Sequence, residues 1–244
     1  MSTVSAGGPH QPARKGSVCR PDEPWWSACR VSEGAANTLT HGLGLLLALI
    51  GAPLLVWLAH RVGHSGHVVA CAVYGLTLIM LYGASTRYHL YQDKPGEFRR
   101  LLTDHICIYY LIAGTYTAIC MTVLREQGSW GWGMLAAVWM LAALGTAFKL
   151  RFGLRYERVS LAMYVAMGWL ALISLAPLLE STPARALALL VAGGFFYTFG
   201  TVFYARVWIG RVRYSHAVWH LAVLAGSTLH YFAIRECLLA VAGS

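Results

Sequence analysis

The sequence predicts an all-α integral membrane protein, a bundle of seven transmembrane helices. Three observations carry this reading. Of the 244 residues, 57% are hydrophobic and only 12% are charged, about half the charged share of soluble domains. Apolar runs of roughly 20 residues recur, each long enough to cross a bilayer. The basic residues then fall almost entirely on one side of the connections that these runs define.

Residues 1–37 read as a tail and juxtamembrane segment. Residues 1–24 are rich in Gly, Pro, Ser and charge, the composition of a mobile tail. Trp25 and Trp26 follow in the pattern of an interfacial aromatic anchor. Residues 1–30 hold no apolar core of signal-peptide type, so the first span is expected to insert and remain.

The membrane domain is expected over residues 38–235. Span 1 runs from Thr38 to Ala59 and includes Pro53, which a membrane helix tolerates better than a soluble one. Span 2 runs from His67 to Tyr88, span 3 from Asp104 to Leu124, and span 4 from Trp130 to Leu150. Span 5 covers Val159 to Leu179, span 6 Ala184 to Tyr204, and span 7 Tyr214 to Ile234. Residues 236–244 are left as a short tail. Connections are short, so neighbouring spans should pack antiparallel. No repeat period stands out, and an odd span count departs from the inverted repeats of many transporters. The six cysteines, Cys19, Cys29, Cys71, Cys107, Cys120 and Cys237, include no Cys-x-x-Cys pair. Neither a disulfide framework nor a thiolate zinc site is implied.

The net charge of +9 is not a nucleic-acid signal in such a chain. Lys and Arg here first report orientation. Fifteen of the 19 basic residues lie in the N-terminal tail and around the 2–3, 4–5 and 6–7 connections. Only Arg61, Arg125, Arg185 and Arg235 fall on the other side. The positive-inside rule places the N-terminus in the cytoplasm and the C-terminus outside. A miscounted helix would scramble this segregation, so it supports seven spans as well.

Polar residues crowd the predicted cytoplasmic ends of the spans. Glu33, Asn37 and His41 are spaced four apart on one stripe entering span 1. Ser85 and His89 close span 2, Asp104 and His105 open span 3, and His216 and His220 open span 7. These groups share one layer of the membrane and can meet. Residues four apart on a helix lie on one face, roughly 6 Å between Cβ atoms, which lets two imidazoles reach one ion. His89, His216 and His220, with a carboxylate nearby, suit Zn²⁺, and three protein ligands leave a fourth position for water. Zinc would bring the pKa of that water towards neutrality. Asp104 is placed to take its proton or to orient a ligand histidine. Ser85 is placed to donate to a substrate oxygen or to the water.

Blander readings stand beside these. A lone His-x-x-x-His is more often a polar pair at a helix end. His41 and His105 are expected to cap helices or face headgroups rather than ligate. Glu33 and Asn37 commonly satisfy a helix N-terminus, although their stripe continues into His41 and favours support of the metal site from behind for all three. His230 lies about 15 Å along the helix from His220 and cannot share its metal, which leaves packing or a hydrogen bond. Tyr and Trp at span ends read as interface belts. The Arg residues after span 6 read as orientation and headgroup contacts.

Five ordered motifs then carry a resemblance. They are Glu33-x-x-x-Asn37-x-x-Thr40-His41, Ser85-x-x-x-His89, Asp104-His105-x-x-Ile108-Tyr109, Gly114-Thr115-Tyr116-Thr117 and His216-x-x-x-His220. Together they resemble the haemolysin III (TrhA) branch of the progestin and adipoQ receptor (PAQR) superfamily. Tyr197-Thr198 with Tyr204-Ala205, and Leu224-Ala225-Gly226-Ser227, add to the match. The resemblance covers Glu33 to Ile234. It implies a seven-helix bundle in the cell membrane with the N-terminus inside, and a role in membrane homeostasis. It implies a zinc on His89, His216 and His220, with Ser85 and Asp104 beside the metal water. Related receptors resemble lipid-amide hydrolases of ceramidase type. Ala118 departs from the pattern: many members carry proline after Gly-Thr-Tyr-Thr, which bears on the bend of span 3.

Three functions compete. The first is an intramembrane zinc hydrolase that cleaves an amide or ester in a membrane lipid. The second is a non-catalytic membrane sensor whose zinc staples span 2 to span 7. The third, suggested by the haemolysin name, is a cytolysin. It ranks last, because seven apolar spans are built to stay in their own membrane and lack the alternating polarity of a barrel pore.

Overall fold

Long apolar segments punctuated by glycine and proline become the helices of the structure, a computed structural model that describes residues 33–125, 127–205 and 214–243. The expected tail and the Trp25–Trp26 anchor lie outside these residues, as do the basic residues of the 6–7 connection. Helix α1 spans Glu33–Val62, α2 Ser65–Leu90, α3 Glu97–Thr122 and α4 Ser129–Phe152. Helix α5 spans Glu157–Gly168, a 3₁₀ turn follows at Leu170–Ser174, and α6 spans Leu175–Ser181. Helix α7 spans Ala184–Tyr204 and α8 spans Ser215–Ala242. No strand occurs among the described residues. With α5 to α6 counted as one span, seven helices are long and apolar enough to cross a membrane.

Span 6 matches its expected bounds, spans 1, 2 and 4 run longer at both ends, and α3 starts earlier but ends at Thr122, short of the expected Leu124. Helix α3 starts at Glu97, so Asp104 and His105 sit about two turns inside the helix rather than at its mouth. It passes through Ala118 without interruption. Helix α8 continues to Ala242 with Cys237 and Leu238 fully buried, where a tail is expected from residue 236.

Span 5 is broken, against the expected single helix, for two reasons. Pro177 has no N–H to offer the Ile173 carbonyl, and its ring crowds the preceding turn. Nearer the start of the break, the Tyr116 hydroxyl from α3 takes the place of helix partners, donating to the Gly168 carbonyl (3.1 Å) and accepting the Ala171 N–H (2.7 Å). In lipid, such freed groups must find partners inside the protein.

Helix α3 is the central and most buried span. It packs on α2 and α4 and also meets α8, while α1 packs between α2 and α8. Its threonines bond back to their own helix, as Thr115 does to the Leu111 carbonyl (2.9 Å) and Thr117 to that of Ala113 (2.8 Å). Small residues allow close helix approach. A Cβ on Gly75 would lie 2.5 Å from that of Ala52, and one on Gly145 would lie 2.5 Å from the Tyr109 ring. Leucines of α1, such as Leu39, Leu46 and Leu54, are exposed, as a helix facing lipid requires. One end of the bundle gathers the starts of α1, α3 and α8 and the ends of α2, α4 and α7, which fixes an up-and-down order.

Candidate metal centre

At that end, the Ser85-x-x-x-His89 turn of α2 meets the His216-x-x-x-His220 turn of α8. His89, His216 and His220 each bring a ring nitrogen into one cluster, all within 4.8 Å of one another. His89 and His220 are buried and His216 is half-buried. Nδ1 of His220 lies 3.2 Å from the Asn37 carbonyl and 3.1 Å from Thr40 Oγ1. The Thr40 hydroxyl donates to the Ala36 and Asn37 carbonyls, so it can only accept from His220. Nδ1 therefore carries the proton, and Nε2 keeps the lone pair that a metal needs. Both ring nitrogens of His89 are buried without a hydrogen-bond partner. Buried polar atoms are rarely left this way. Three imidazoles around one point, one of them unsatisfied, fit a borderline divalent ion such as zinc.

His41, expected to support the metal site from behind if it does not cap a helix or face headgroups, is buried. Its ring stacks on His220 with centroids 3.5 Å apart and planes 14° apart. It backs the triad without joining it. Asn37 reaches the site through its backbone carbonyl. Glu33, expected behind the metal, is exposed, and its carboxylate accepts the Tyr214 N–H (2.9 Å). It thus holds the start of α8, two residues before His216.

Ser85 and Asp104 form a buried pair, with Ser85 Oγ donating to Asp104 Oδ2 across 3.3 Å. The one hydroxyl proton of Ser85 is therefore given to the carboxylate rather than to a substrate or water. His105, the other residue expected at a headgroup, is also buried. Its Nδ1 faces Lys149 Nζ (3.2 Å) and its Nε2 faces the Tyr204 hydroxyl (3.2 Å). Tyr164 donates to its carbonyl (2.8 Å). Sequence reasoning misses Lys149 and Tyr204, assigning them to a basic connection and an interface belt. Lys149 is only 1% exposed. The missed signal is spacing: Met134, Val138, Ala142, Gly145 and Lys149 form one buried stripe of α4.

A cavity of about 670 Å³ joins these groups. His41, Ser85, His89, Asp104, His216 and His220 line one end, and Tyr197 and His230 line the other. A hydroxyl–carboxylate pair, an imidazole cluster and a mainly apolar chamber thus share one space.

The family described as Haemolysin-III related matches residues 30–231. The chain belongs to the haemolysin III family. Hemolysin-3 of Bacillus cereus is 38% identical over 212 residues, covering 87% of this chain and 94% of that protein. The Hemolysin-3 homolog of Bacillus subtilis (strain 168) is 36% identical over 204 residues, covering 84% and 93%. The human monocyte to macrophage differentiation factor is 30% identical over 212 residues, covering 84% of each chain. As a member of the haemolysin III family, the chain is a multi-pass membrane protein. The family match reaches all seven spans and includes every residue of the histidine cluster.

Proposed function

We propose that this haemolysin III protein is a zinc-dependent hydrolase of the cytoplasmic membrane that cleaves an amide or ester bond in a lipid and serves membrane-lipid homeostasis. One observation carries the reading: the histidine triad and the Ser85–Asp104 pair line the same end of one mainly apolar chamber. His89, His216 and His220 would hold the ion, which when bound supplies a Lewis acid and a more acidic water. Ser85 fixes Oδ2 of Asp104, leaving Oδ1 to take a proton from a water that attacks the lipid carbonyl carbon. The same carboxyl can return the proton to the departing amine or alcohol as the bond to carbon breaks. The apolar walls accept an acyl chain and exclude bulk water. Asn37, Thr40 and His41 hold His220 in place. The segregated basic residues favour placing this end at the cytoplasmic face.

A second reading is favoured by the triad's reach from α2 to α8: a metal there would act as a staple in a non-catalytic sensor. Membrane lipids of cells carrying wild type, Asp104→Asn and His220→Ala separate the two. The hydrolase reading expects both variants to accumulate the same uncleaved lipid, with zinc retained in Asp104→Asn. If Asp104→Asn matches wild type while His220→Ala does not, the ion is structural.

A further inference from the structure

The far end of the cavity is not uniformly apolar. Its hydroxyls are already occupied: Thr115 donates to the Leu111 carbonyl, Thr198 to that of Gly194 and Thr201 to that of Thr198. Tyr116 bridges the break in span 5, and Tyr197 bonds to Ser227 (2.9 Å). His230 differs. Its Nε2 lies 3.1 Å from the Leu190 carbonyl, which can only accept. Nε2 therefore bears the proton, and in the neutral ring Nδ1 bears the lone pair. The Cδ2–Nε2 edge is pressed against Gly193 of α7, where an added Cβ would collide with the ring. Nδ1 is the ring vertex opposite that edge. No hydrogen bond to Nδ1 is present among the described residues, and the residue lines the cavity.

We infer that His230 is a specificity-determining residue that accepts a hydrogen bond from a hydroxyl in the middle of a lipid acyl chain. The inference rests on the reading of the cavity as a lipid site. His230 lies about 15 Å along α8 from His220, so a lipid with its carbonyl at the triad brings its mid-chain region to this ring. A plain methylene chain against the ring leaves Nδ1 unpaired, whereas a hydroxylated chain satisfies it. Gly193 is the packing counterpart: any side chain there would push the ring out of its place against the Leu190 carbonyl.

The test is equilibrium binding of two fatty acids to the purified full-length protein in lipid nanodiscs. Oleic acid and ricinoleic acid differ by one mid-chain hydroxyl. Wild type should bind ricinoleic acid about fivefold more tightly, the scale of one hydrogen bond. His230→Phe, which has no acceptor to leave unpaired, should lose the preference for ricinoleic acid. His230→Gln, which retains one donor and one acceptor, should keep the preference. Equal binding by wild type, or a preference that survives His230→Phe, overturns this assignment alone. Failure of wild type to bind either acid overturns the lipid-cavity reading with it. If the Phe variant does not fold, the wild-type comparison still decides.

Discussion

The backbone carbonyl of Asn37 lies 3.2 Å from Nδ1 of His220, so the first span sets which nitrogen of a last-span histidine faces the triad. Thr40 Oγ1 shares that N–H at 3.1 Å. Thr40→Val removes one of the two acceptors while keeping the shape. Zinc affinity, measured by competition with a chelator, should fall about tenfold, the usual scale for loss of a partner behind a ligand histidine. Unchanged affinity would show that the Asn37 carbonyl suffices.

Metal removal should weaken the whole bundle, because the ion would join α2 to α8. Chelation is expected to lower the melting temperature of the wild type. His89→Ala, His216→Ala and His220→Ala should each start lower and respond little to chelator. Full zinc occupancy in the His216→Ala, His220→Ala double variant would place the site elsewhere.

Lys149 and His105 should be energetically coupled. Each is buried, and each is a partner of the other at 3.2 Å. Lys149→Met leaves the His105 Nδ1 without its donor, while His105→Phe leaves an ammonium without its acceptor. Either change alone should cost about 1–3 kcal/mol, and the double variant should cost less than the sum. Chemical denaturation in detergent reads the cycle, and strict additivity would mean the contact carries no energy.

The break in span 5 predicts a cost at a residue far from it in sequence. Tyr116→Phe removes the hydroxyl that joins the Gly168 carbonyl to the Ala171 N–H. The Gly168 carbonyl, exposed, and the Ala171 N–H, half-buried, then lose their partner within a span that faces lipid, at about 1–3 kcal/mol each. Tyr197→Phe also removes a hydroxyl contact, but its partner, Ser227, keeps another to Tyr82 (2.7 Å). The change at Tyr197 should therefore cost less than the one at Tyr116 in the same thermal assay.

Orientation has its own check. Fused at the C-terminus, a reporter that works only in the cytoplasm should be silent, and one that needs the outer side should be active. A strong cytoplasmic signal would reverse the placement of the histidine end.

Much of this architecture is legible in the chain because membranes impose length and charge rules on sequence. Apolar runs give the span count, and the i, i+4 pairs Ser85–His89 and His216–His220 mark helix faces that do converge. The break at Trp169 is not legible, because its satisfied backbone depends on a hydroxyl from Tyr116 on another helix. Lys149 is misplaced because a lysine near a span end counts as a loop charge, although its buried stripe on α4 points inward. Glu33 goes astray for a different reason: a helical stripe gives the direction of a side chain but not which neighbour meets it. His41 cannot be placed alone, since its position follows from the partner ring it covers.

Two of the three triad histidines sit in the last of the seven helices to be synthesised. Until α8 enters the membrane, His89 has no companions and the Asn37 carbonyl waits without its imidazole. A polypeptide arrested before Ser215 could carry six spans and still hold no centre. A metal bound there would therefore double as a checkpoint of biogenesis, registering that α8 has been inserted beside α2.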